Sequence, residues 1–150
     1  MQSKNKNTTM KVGIKKLHPD AVIPKYSKPG DAGLDLTAVE VINDESFQVT
    51  YRTGLAMEIP LGYVGLLFPR SSIRNYEISL SNCVGVIDSG YRGEIQFTFN
   101  KNGGIPSKRY EVGERVGQII IMPYPEVEFV ELDNLTETVR GEGGFGSSGK

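Results

Sequence analysis

One short polar turn combines an acid with a large aromatic side chain, and hydrolytic chemistry could use that combination. Within residues 85–95, Asp88 supplies a carboxylate and Tyr91 supplies a ring. The apolar residues on either side predict a β-hairpin, and Gly90 and Gly93 allow backbone angles that other residues resist. An ordinary hairpin with a charged tip would explain the same residues, because Asp is common in turns.

A second polar segment, residues 69–75, has the composition of a phosphate site. Ser71 and Ser72 can open a short helix, because Ser is a favoured N-cap residue. Helix N-termini expose free N–H groups that attract phosphate, and Arg70 adds a planar guanidinium that matches phosphate oxygens. A capped turn with a solvated arginine is the alternative.

The C-terminal segment, residues 140–150, has the composition of a lid over a nucleotide. It contains five glycines, whose backbone N–H groups can close around phosphate oxygens. Arg140 adds a cation, and Phe145 adds a ring that can stack on a base. Such a segment cannot build a core and is expected to be mobile when free. A simple flexible tail is the alternative.

Composition excludes several function classes. The chain has 150 residues, with 17 Lys and Arg against 18 Asp and Glu, so no broad basic field is available for a long nucleic acid. Cys83 is the single cysteine, which excludes an intramolecular disulfide and a multi-cysteine metal site. His18 is the single histidine, which disfavours a Ser-His-Asp relay or a His-rich zinc site. Hydrolysis would therefore depend on carboxylates, backbone donors or a metal brought by the substrate.

We expect neither a membrane span nor a secretory signal in this sequence. No apolar run approaches ~18 residues, and residues 1–9 are polar where a signal peptide would be apolar. We expect a soluble, intracellular, cytoplasmic protein with a flexible N-terminal tail at residues 1–9.

Many short strands must position these polar segments. No long stretch has a 3.6-residue period, and turn signals recur about every 8–12 residues, which is typical of an all-β sandwich or barrel. We expect one domain over residues 10–132, followed by a linker and the Gly-rich arm over residues 133–150. Strands are expected at residues 10–17, 31–38, 40–51 (around a turn at 43–45), 52–59, 63–68 (buried on both faces), 95–100, 115–122 and 126–132.

Five segments together resemble the trimeric dUTPase family, the deoxyuridine triphosphate nucleotidohydrolases. Each motif alone is weak, but five in the family's order and spacing are specific, and the resemblance extends from about residue 12 to residue 150. It implies a jelly-roll-like β fold and a homotrimer whose active sites are shared between subunits, with the Gly-rich arm closing over a neighbour's site. The five segments are residues 32–36, 69–72, 85–93, 113–118 and 140–149.

The implied reaction is Mg²⁺-dependent hydrolysis of dUTP to dUMP and pyrophosphate, which limits uracil in DNA and supplies dUMP for thymidylate synthesis. By the resemblance, Asp88 orients and deprotonates the water that attacks the α-phosphorus. Mg²⁺ would be chelated by the three phosphates and would meet the protein mainly through water. Asp35 would make that indirect contact or brace the phosphate segment, although a turn or cap acid would explain it as well.

The remaining implied contacts divide between phosphate and nucleoside. Ser71 is expected near the bridging oxygen where charge develops, and Tyr91 is expected to pack on the deoxyribose and exclude a 2′-hydroxyl. Phe145 is expected to stack on uracil, whose edge the backbone of Val86 and Ile87 would read together with Asn82. Other expected substrate contacts are Arg70, Ser72 and Gln118 (phosphates), Arg140, Gly146, Ser147 and Ser148 (arm), and Gln96 (a weaker candidate facing the pocket).

One departure and two rival interpretations accompany the resemblance. Gly117 stands where many family members have Ala, which predicts looser strand packing there. A dCTP deaminase relative would share the fold and bind pyrimidine triphosphates, but the pairing of Asp88 with Tyr91 and the complete arm favour the hydrolase. A nucleotide-gated interaction protein that binds partners through the same trimer is the second rival.

Overall fold

The computed structural model describes residues 9–104 and 106–146 of the chain, so the expected N-terminal tail lies almost entirely outside the described residues. The described residues form short strands and one 3₁₀ helix, Ser71–Asn75, and none of their helices is long and apolar enough to cross a membrane. Every ladder is antiparallel, which confirms the all-β class. The strands are β1 (Gly13–Lys16), β2 (Leu34–Thr37), β3 (Glu40–Asp44), β4 (Gln48–Arg52), β5 (Leu55–Glu58), β6 (Tyr63–Phe68), β7 (Ile78–Leu80), β8 (Gly85–Ile87), β9 (Gln96–Lys101) and β10 (Arg115–Pro123).

Two four-stranded sheets make up most of the fold. The first has the order β2-β10-β6-β8 and the second β3-β4-β9-β7, while β1 pairs with β5. β10 lies inside the first sheet, where its apolar residues pair on both sides. Ile119, for example, lies opposite Leu34 of β2 and Leu67 of β6. β10 therefore aligns the ends of its two neighbours, and this alignment later determines which polar side chains meet.

The two sheets share one hydrophobic core. Leu36 and Ile119 of the first sheet are buried in the same cluster as Tyr51, Phe97 and Phe99 of the second. Edge-to-face and stacked ring pairs connect these aromatic residues. This arrangement, two sheets packed face to face around a shared core, is a β-sandwich.

Gly117 lies where the two sheets approach closely. A Cβ atom at this position would collide with the ring of Phe97. The looser packing predicted from a glycine at this position is therefore wrong, because the Phe97 ring occupies the space that an alanine side chain would need.

The predicted hairpin over residues 85–95 is also wrong. β8 pairs with β6 in the first sheet, whereas β9 pairs with β4 and β7 in the second. Residues 88–95 therefore cross from one sheet to the other. Apolar runs around a polar turn predict two strands. Which strands they pair with depends on residues distant in the sequence, such as Tyr51, which lies opposite Phe97.

The predicted strand at residues 126–132 is absent from the described part of the chain. These residues pair with none of its strands, and Phe129 and Val130 are 94% and 73% exposed. A strand needs hydrogen bonds from a neighbour, and the sequence pattern alone cannot show that the neighbour is present.

The position of the turn between β3 and β4 and the burial of β6 both differ in detail from the expectations. The turn between β3 and β4 lies after Asp44 rather than at residues 43–45, with the Glu45 N–H donating to the Gln48 carbonyl at 2.9 Å. β6 is not buried on both faces, since only Gly65 and Leu67 are fully buried in it. Local turn chemistry is compatible with either register, so the cross-strand partners decide it.

Candidate active site

The register of the first sheet brings distant polar residues together. Gln118 of β10 lies opposite Asp35 of β2 and opposite Phe68 at the end of β6. Arg70 follows β6 and therefore comes beside Asp35, 35 positions earlier in the sequence. Long-range pairing, rather than local sequence, assembles this end of the site.

The Asp35 carboxylate lies between two guanidinium groups. Arg70 Nε donates to Oδ1 at 2.9 Å, and Arg115 Nη1 donates to Oδ2 at 3.1 Å. The Asp35 and Arg70 side chains are 27% and 22% exposed, whereas that of Arg115 is 55% exposed. Asp35 thus holds Arg70, the residue that precedes the 3₁₀ helix, together with Arg115 of β10.

Gln118 connects the two loops that flank β10. Its Nε2 donates to the Pro69 carbonyl at 3.0 Å, and a Cβ atom at Gly33 would collide with its Oε1. The amide is therefore held between residues 33 and 69. A cavity of about 280 Å³ opens beside it, lined by Lys25, Ser27, Asp31, Ala32, Gly33, Asp35 and Gln118.

Ser71 and Ser72 begin the 3₁₀ helix, but neither caps it. Arg70 is the N-cap residue, with extended backbone and no side-chain capping hydrogen bond. The predicted helix is confirmed and the predicted serine cap is wrong, because the Arg70 Nη1 instead donates to Ser72 Oγ at 3.2 Å. Ser71 is exposed. Arg70 therefore links Asp35 to the helix.

Two tyrosines pack against residues 69–75, the segment expected to bind phosphate. Tyr76, which ends the 3₁₀ helix, lies with its ring centroid 4.1 Å from that of Tyr110. The Tyr76 hydroxyl donates to Glu114 Oε1 at 2.9 Å. Burial, followed by this hydrogen bond, raises the pKa of Tyr76 to about 12, so the hydroxyl stays protonated and continues to donate at neutral pH.

The turn that contains Asp88 is held by its own residues. The Tyr91 N–H donates to the Asp88 carbonyl at 3.0 Å, and Tyr91 Oη donates to the Glu94 carbonyl at 3.1 Å. Gly93 packs so closely under the Tyr91 ring that a Cβ atom there would collide with it. Asp88 itself is exposed. The turn presents the carboxylate to solvent with the tyrosine ring fixed three residues away.

Glu94 attaches the end of this turn to β4 of the second sheet and to Gly54, the residue before β5. Arg52 Nε donates to its two carboxylate oxygens at 2.8 and 3.1 Å, and the Gly54 N–H donates to Oε1 at 2.8 Å. The Glu94 side chain is only 12% exposed. Arg52 also donates to Glu40 at 2.6 Å. A network of charge-assisted hydrogen bonds therefore anchors the turn.

The residues expected to read a base lie on and beside an edge strand. β8 pairs only with β6 among the described strands, so its other edge has free N–H and C=O groups. Val86 is 61% exposed, whereas Ile87 packs against the core. Asn82 and Gln96 are exposed at the turn before β8 and at the start of β9. A planar ligand could hydrogen-bond along this free edge.

Within the described part of the chain, residues 138–146 make hydrogen bonds only with one another. Arg140 Nε donates to the Gly143 carbonyl at 2.9 Å, and the Gly141 N–H donates to the Thr138 carbonyl at 3.1 Å. Phe145 is fully exposed. Gly146 has a φ of 84°, which glycine adopts easily. Ser147 and Ser148 lie outside the described residues.

A family model for dUTPase matches residues 19–149, which is most of the chain. The chain belongs to the dUTPase family. The family resemblance found in the five motifs is confirmed by this match.

Curated relatives extend the same result. The deoxyuridine 5'-triphosphate nucleotidohydrolase of Thermobifida fusca is 38% identical over 143 residues, covering 94% of this chain and 80% of that protein. The enzyme of the same name from Helicobacter pylori (strain P12) is 37% identical over 142 residues, covering 93% of this chain and 97% of that protein.

Solved structures share the fold. A variant of the Staphylococcus bacteriophage 80alpha dUTPase with dUpNHpp superimposes with a TM-score of 0.84 and 27% identity, over 95% of this chain and all of that chain. The phage dUTPase with dUPNHPP, described as controlling the transfer of virulence genes, has a TM-score of 0.82 and 28% identity, with 95% of this chain and all of that chain covered.

Two residues that hold predicted site residues in place were not predicted from the sequence. Arg115 shares Asp35 with Arg70, and Glu94 anchors the Asp88 turn. The sequence shows Glu94 only as an acid immediately before an apolar strand. That pattern does not indicate which residue the carboxylate binds. The partners are 42 and 80 positions away in the sequence, beyond the reach of any local pattern.

The described residues of this dUTPase contain no group of three or more His, Cys, Asp or Glu side chains placed to hold a metal ion. Both oxygens of the Asp35 carboxylate accept hydrogen bonds from arginines. Each carboxylate oxygen has more than one acceptor position, so Asp35 can hold two arginines and still accept from a metal-bound water.

Proposed function

We propose that this chain hydrolyses dUTP to dUMP and pyrophosphate, with Asp88 orienting the water that attacks the α-phosphorus. The observation that carries this proposal is the exposed Asp88 carboxylate on a turn held by Tyr91 and Glu94, beside a free strand edge. A carboxylate can hold a water molecule by accepting a hydrogen bond from it. Placement of the water should therefore be its main contribution, with base help worth about 10²–10⁴-fold.

Arg70, Ser71 and Ser72 hold the pyrophosphate leaving group in this proposal. A triphosphate repels an attacking nucleophile, so catalysis must neutralise charge and hold geometry. The Asp35 contact supports such a role, since it leaves the Arg70 guanidinium oriented and only partly exposed. Gln118 contacts phosphate from β10, and Arg140, Ser147 and Ser148 would add contacts from the arm.

Mg²⁺, when chelated by the three phosphates, would neutralise part of their charge. Asp35 would hold this group through water while it braces Arg70. The two arginines on Asp35 support these separate roles for the metal and the protein. They place two positive charges beside the carboxylate, where phosphate oxygens would bind.

Uracil is read along the free edge of β8 by the backbone of Val86 and Ile87, with Asn82 completing the hydrogen bonds. Cytosine reverses the donor pattern at two positions, and mispaired buried groups can discriminate on the order of 10⁴-fold. Tyr91 packs on the deoxyribose, and its fixed ring leaves no room for a 2′-hydroxyl. Phe145 stacks on the base, and Gln96 is a weaker contact.

Three copies of the chain assemble the jelly-roll-like barrels into a homotrimer with shared sites. The exposed apolar segment at residues 126–132 supports contact with another copy. Residues 133–139 could span at most roughly 23 Å when extended, which is enough to reach a neighbouring subunit. The domain is then residues 10–132, followed by a linker and the Gly-rich arm at residues 133–150. We place this enzyme in the cytoplasm, where it limits uracil in DNA and supplies dUMP for thymidylate synthesis.

The deciding experiment measures pyrophosphate and ammonia release from dUTP and the four common deoxynucleoside triphosphates with Mg²⁺. Pyrophosphate from dUTP alone supports the proposal. Ammonia from dCTP would instead identify a deaminase, and no release from dUTP would refute the hydrolase. Mass measurement in solution tests the trimer. A stable monomer that leaves dUTP intact would contradict both the proposed trimer and the proposed hydrolysis.

A further inference from the structure

Tyr76 is the residue at which the 3₁₀ helix Ser71–Asn75 ends, and its side chain is held from several directions. Its hydroxyl donates to Glu114 Oε1 at 2.9 Å. Its ring centroid lies 4.1 Å from that of Tyr110 and 5.7 Å from the Lys108 ammonium, which an aromatic face attracts. The ring also packs against the hydrophobic core. Contacts at the ring and at the hydroxyl together fix the end of the helix.

Glu114 offers this hydroxyl an acceptor that is itself held in place. Its second carboxylate oxygen, Oε2, accepts from the Glu111 N–H at 2.6 Å. Its backbone carbonyl accepts from the Ala38 N–H at 2.9 Å, and the Gly113 N–H donates to the Ala38 carbonyl at 2.8 Å. Ala38 is 1% exposed and follows β2 directly. The hydrogen bond from Tyr76 therefore connects the helix to the end of the first sheet.

Both ends of the segment between β6 and β7 are attached to the beginning of β10. Arg70, at the start of the segment, donates to the Asp35 carboxylate, which also accepts from Arg115. Tyr76, at its end, donates to Glu114. Glu114 and Arg115 are adjacent in the sequence, and Arg115 begins β10. Two neighbouring residues thus hold the segment at both ends, one through Asp35 and one directly.

Backbone hydrogen bonds join the two attached ends. The Ile73 N–H donates to the Arg70 carbonyl at 3.0 Å, and the Tyr76 N–H donates to the Ile73 carbonyl at 2.9 Å. Ser71 and Ser72 lie inside this short hydrogen-bonded stretch. A displacement of Tyr76 would therefore be passed to both serines through the helix backbone.

We propose that Tyr76, through its hydrogen bond to Glu114, is a positioning residue for the pyrophosphate leaving group. The inference rests on the proposed hydrolysis of dUTP, in which residues 70–72 hold that group. Tyr76 acts through the helix backbone and does not itself touch the substrate. Small errors in the placement of groups around a reacting phosphate lower the rate strongly, so the end of the helix matters as much as its start.

The donor that this role needs is present at neutral pH. Burial, followed by the hydrogen bond to Glu114, raises the pKa of Tyr76 to about 12. The hydroxyl therefore keeps its proton throughout the neutral range. A phenylalanine at this position would preserve the ring contacts and lose only the attachment to Glu114.

The test variant is Tyr76→Phe, and the measurement is the pair of dissociation constants for dUpNHpp and dUMP. Only dUpNHpp carries the two outer phosphates, whereas dUMP keeps the α-phosphate and the nucleoside. We expect binding of dUpNHpp to weaken about 3- to 10-fold, because one hydrogen bond to a charged group is lost, and binding of dUMP to change less than about twofold. A general loss of structure would weaken both ligands alike and would overturn the inference.

Tyr51→Phe is the matched control. Its hydroxyl is also that of a tyrosine beside Tyr110, but it donates to the Tyr110 carbonyl at 2.6 Å within the core. Its loss should lower the melting temperature and leave the ratio of the two dissociation constants unchanged. An equal change of that ratio in both variants would overturn the inference, because it would show a general response to removing a tyrosine hydroxyl.

Coupling between Tyr76 and Glu114 gives the decisive comparison. Glu114→Ala alone should weaken dUpNHpp relative to dUMP by about 3- to 10-fold, and Glu114→Gln should weaken it less, because the amide oxygen still accepts from the hydroxyl. In a Tyr76→Phe background, Glu114→Ala should change the ratio by less than about twofold. An undiminished effect of Glu114→Ala in that background would overturn the inference.

The binding ratio also separates this inference from the proposed function. Wild-type protein that binds dUpNHpp but releases no pyrophosphate from dUTP would refute the proposed hydrolysis, and the ratio would still decide the role of Tyr76. An unchanged ratio in Tyr76→Phe would overturn the inference while the hydrolysis stands. Wild-type protein that binds dUpNHpp no more tightly than dUMP would overturn it as well, because residues 70–72 would then hold no outer phosphate.

Discussion

The Asp35 carboxylate holds the Arg70 guanidinium at 2.9 Å, across 35 positions of sequence. Both side chains are about three-quarters shielded from solvent. The hydrogen bond at Nε therefore fixes the orientation of the whole Arg70 guanidinium. The proposed leaving-group site depends on this contact more directly than on the serines beside it.

Asp35→Asn should raise KM for dUTP by about 10-fold, because charge-assisted hydrogen bonds are stronger than neutral ones. Steady-state kinetics across a Mg²⁺ titration would measure it. If Asp35 mainly braces Arg70, added Mg²⁺ does not restore KM. Full rescue by Mg²⁺ would show that indirect metal contact is its main role. Arg115→Gln, which alters only the more exposed partner, should have the smaller effect.

Asp88→Asn should lower kcat by about 10²–10⁴-fold while binding changes little. The amide keeps the shape of the carboxylate but cannot accept the proton from the attacking water. Pyrophosphate release reports turnover and dUpNHpp affinity reports binding. The assignment fails if kcat stays near the wild-type value.

Tyr91→Ala should loosen the preference for deoxyribose. The ring is fixed between the Glu94 carbonyl and Gly93, and removing it opens space for a 2′-hydroxyl. The ratio of kcat/KM for dUTP to that for UTP measures the change. Tyr91→Phe, which keeps the ring and loses one hydrogen bond, should retain most of the preference. Unchanged discrimination against UTP in the alanine variant would refute the steric role.

Glu94→Gln should lower the melting temperature and kcat together. The substitution removes the charge that Arg52 and the Gly54 N–H share, so the Asp88 turn loses its anchor. Thermal unfolding and turnover measure the two effects. Glu40→Gln is the control, because this more exposed acid binds only the outer part of Arg52. Equal effects of both substitutions would show that the turn does not depend on Glu94.

Gly117→Ala should destabilise the fold by about 1–3 kcal/mol, which is typical of overpacking. The new Cβ would meet the Phe97 ring, which is 1% exposed and stacks on Phe99. Chemical unfolding measures the loss. Phe97→Leu in the same chain should recover part of it, and a double variant less stable than the sum of both losses would contradict this explanation.

Much of the fold could be predicted from local patterns. Short apolar runs with turn signals between them indicated all-β structure, and the strand at residues 115–122 was predicted to within one residue of β10. Five motifs in order indicated the family before any contact was known. Asp88 and Tyr91 lie in one turn, so their short spacing already placed them together.

The pairings could not be predicted in this way. The sequence around residues 85–95 indicates two strands, but β8 and β9 lie in different sheets. β8 pairs with β6, where Leu66 lies opposite Val86, and β9 pairs with β4, where Tyr51 lies opposite Phe97. The strand expected at residues 126–132 lacks a partner among the described residues, so its alternation produces no ladder.

The sequence by itself determined which residue types could do the chemistry, the class of fold and the family. Only the tertiary structure decided that Asp35 holds Arg70 and that Glu94 anchors the turn. The physical reason is distance along the chain. Periodicity and turn chemistry act over a few residues, whereas hydrogen bonds and close packing join residues that only the folded sheets bring together.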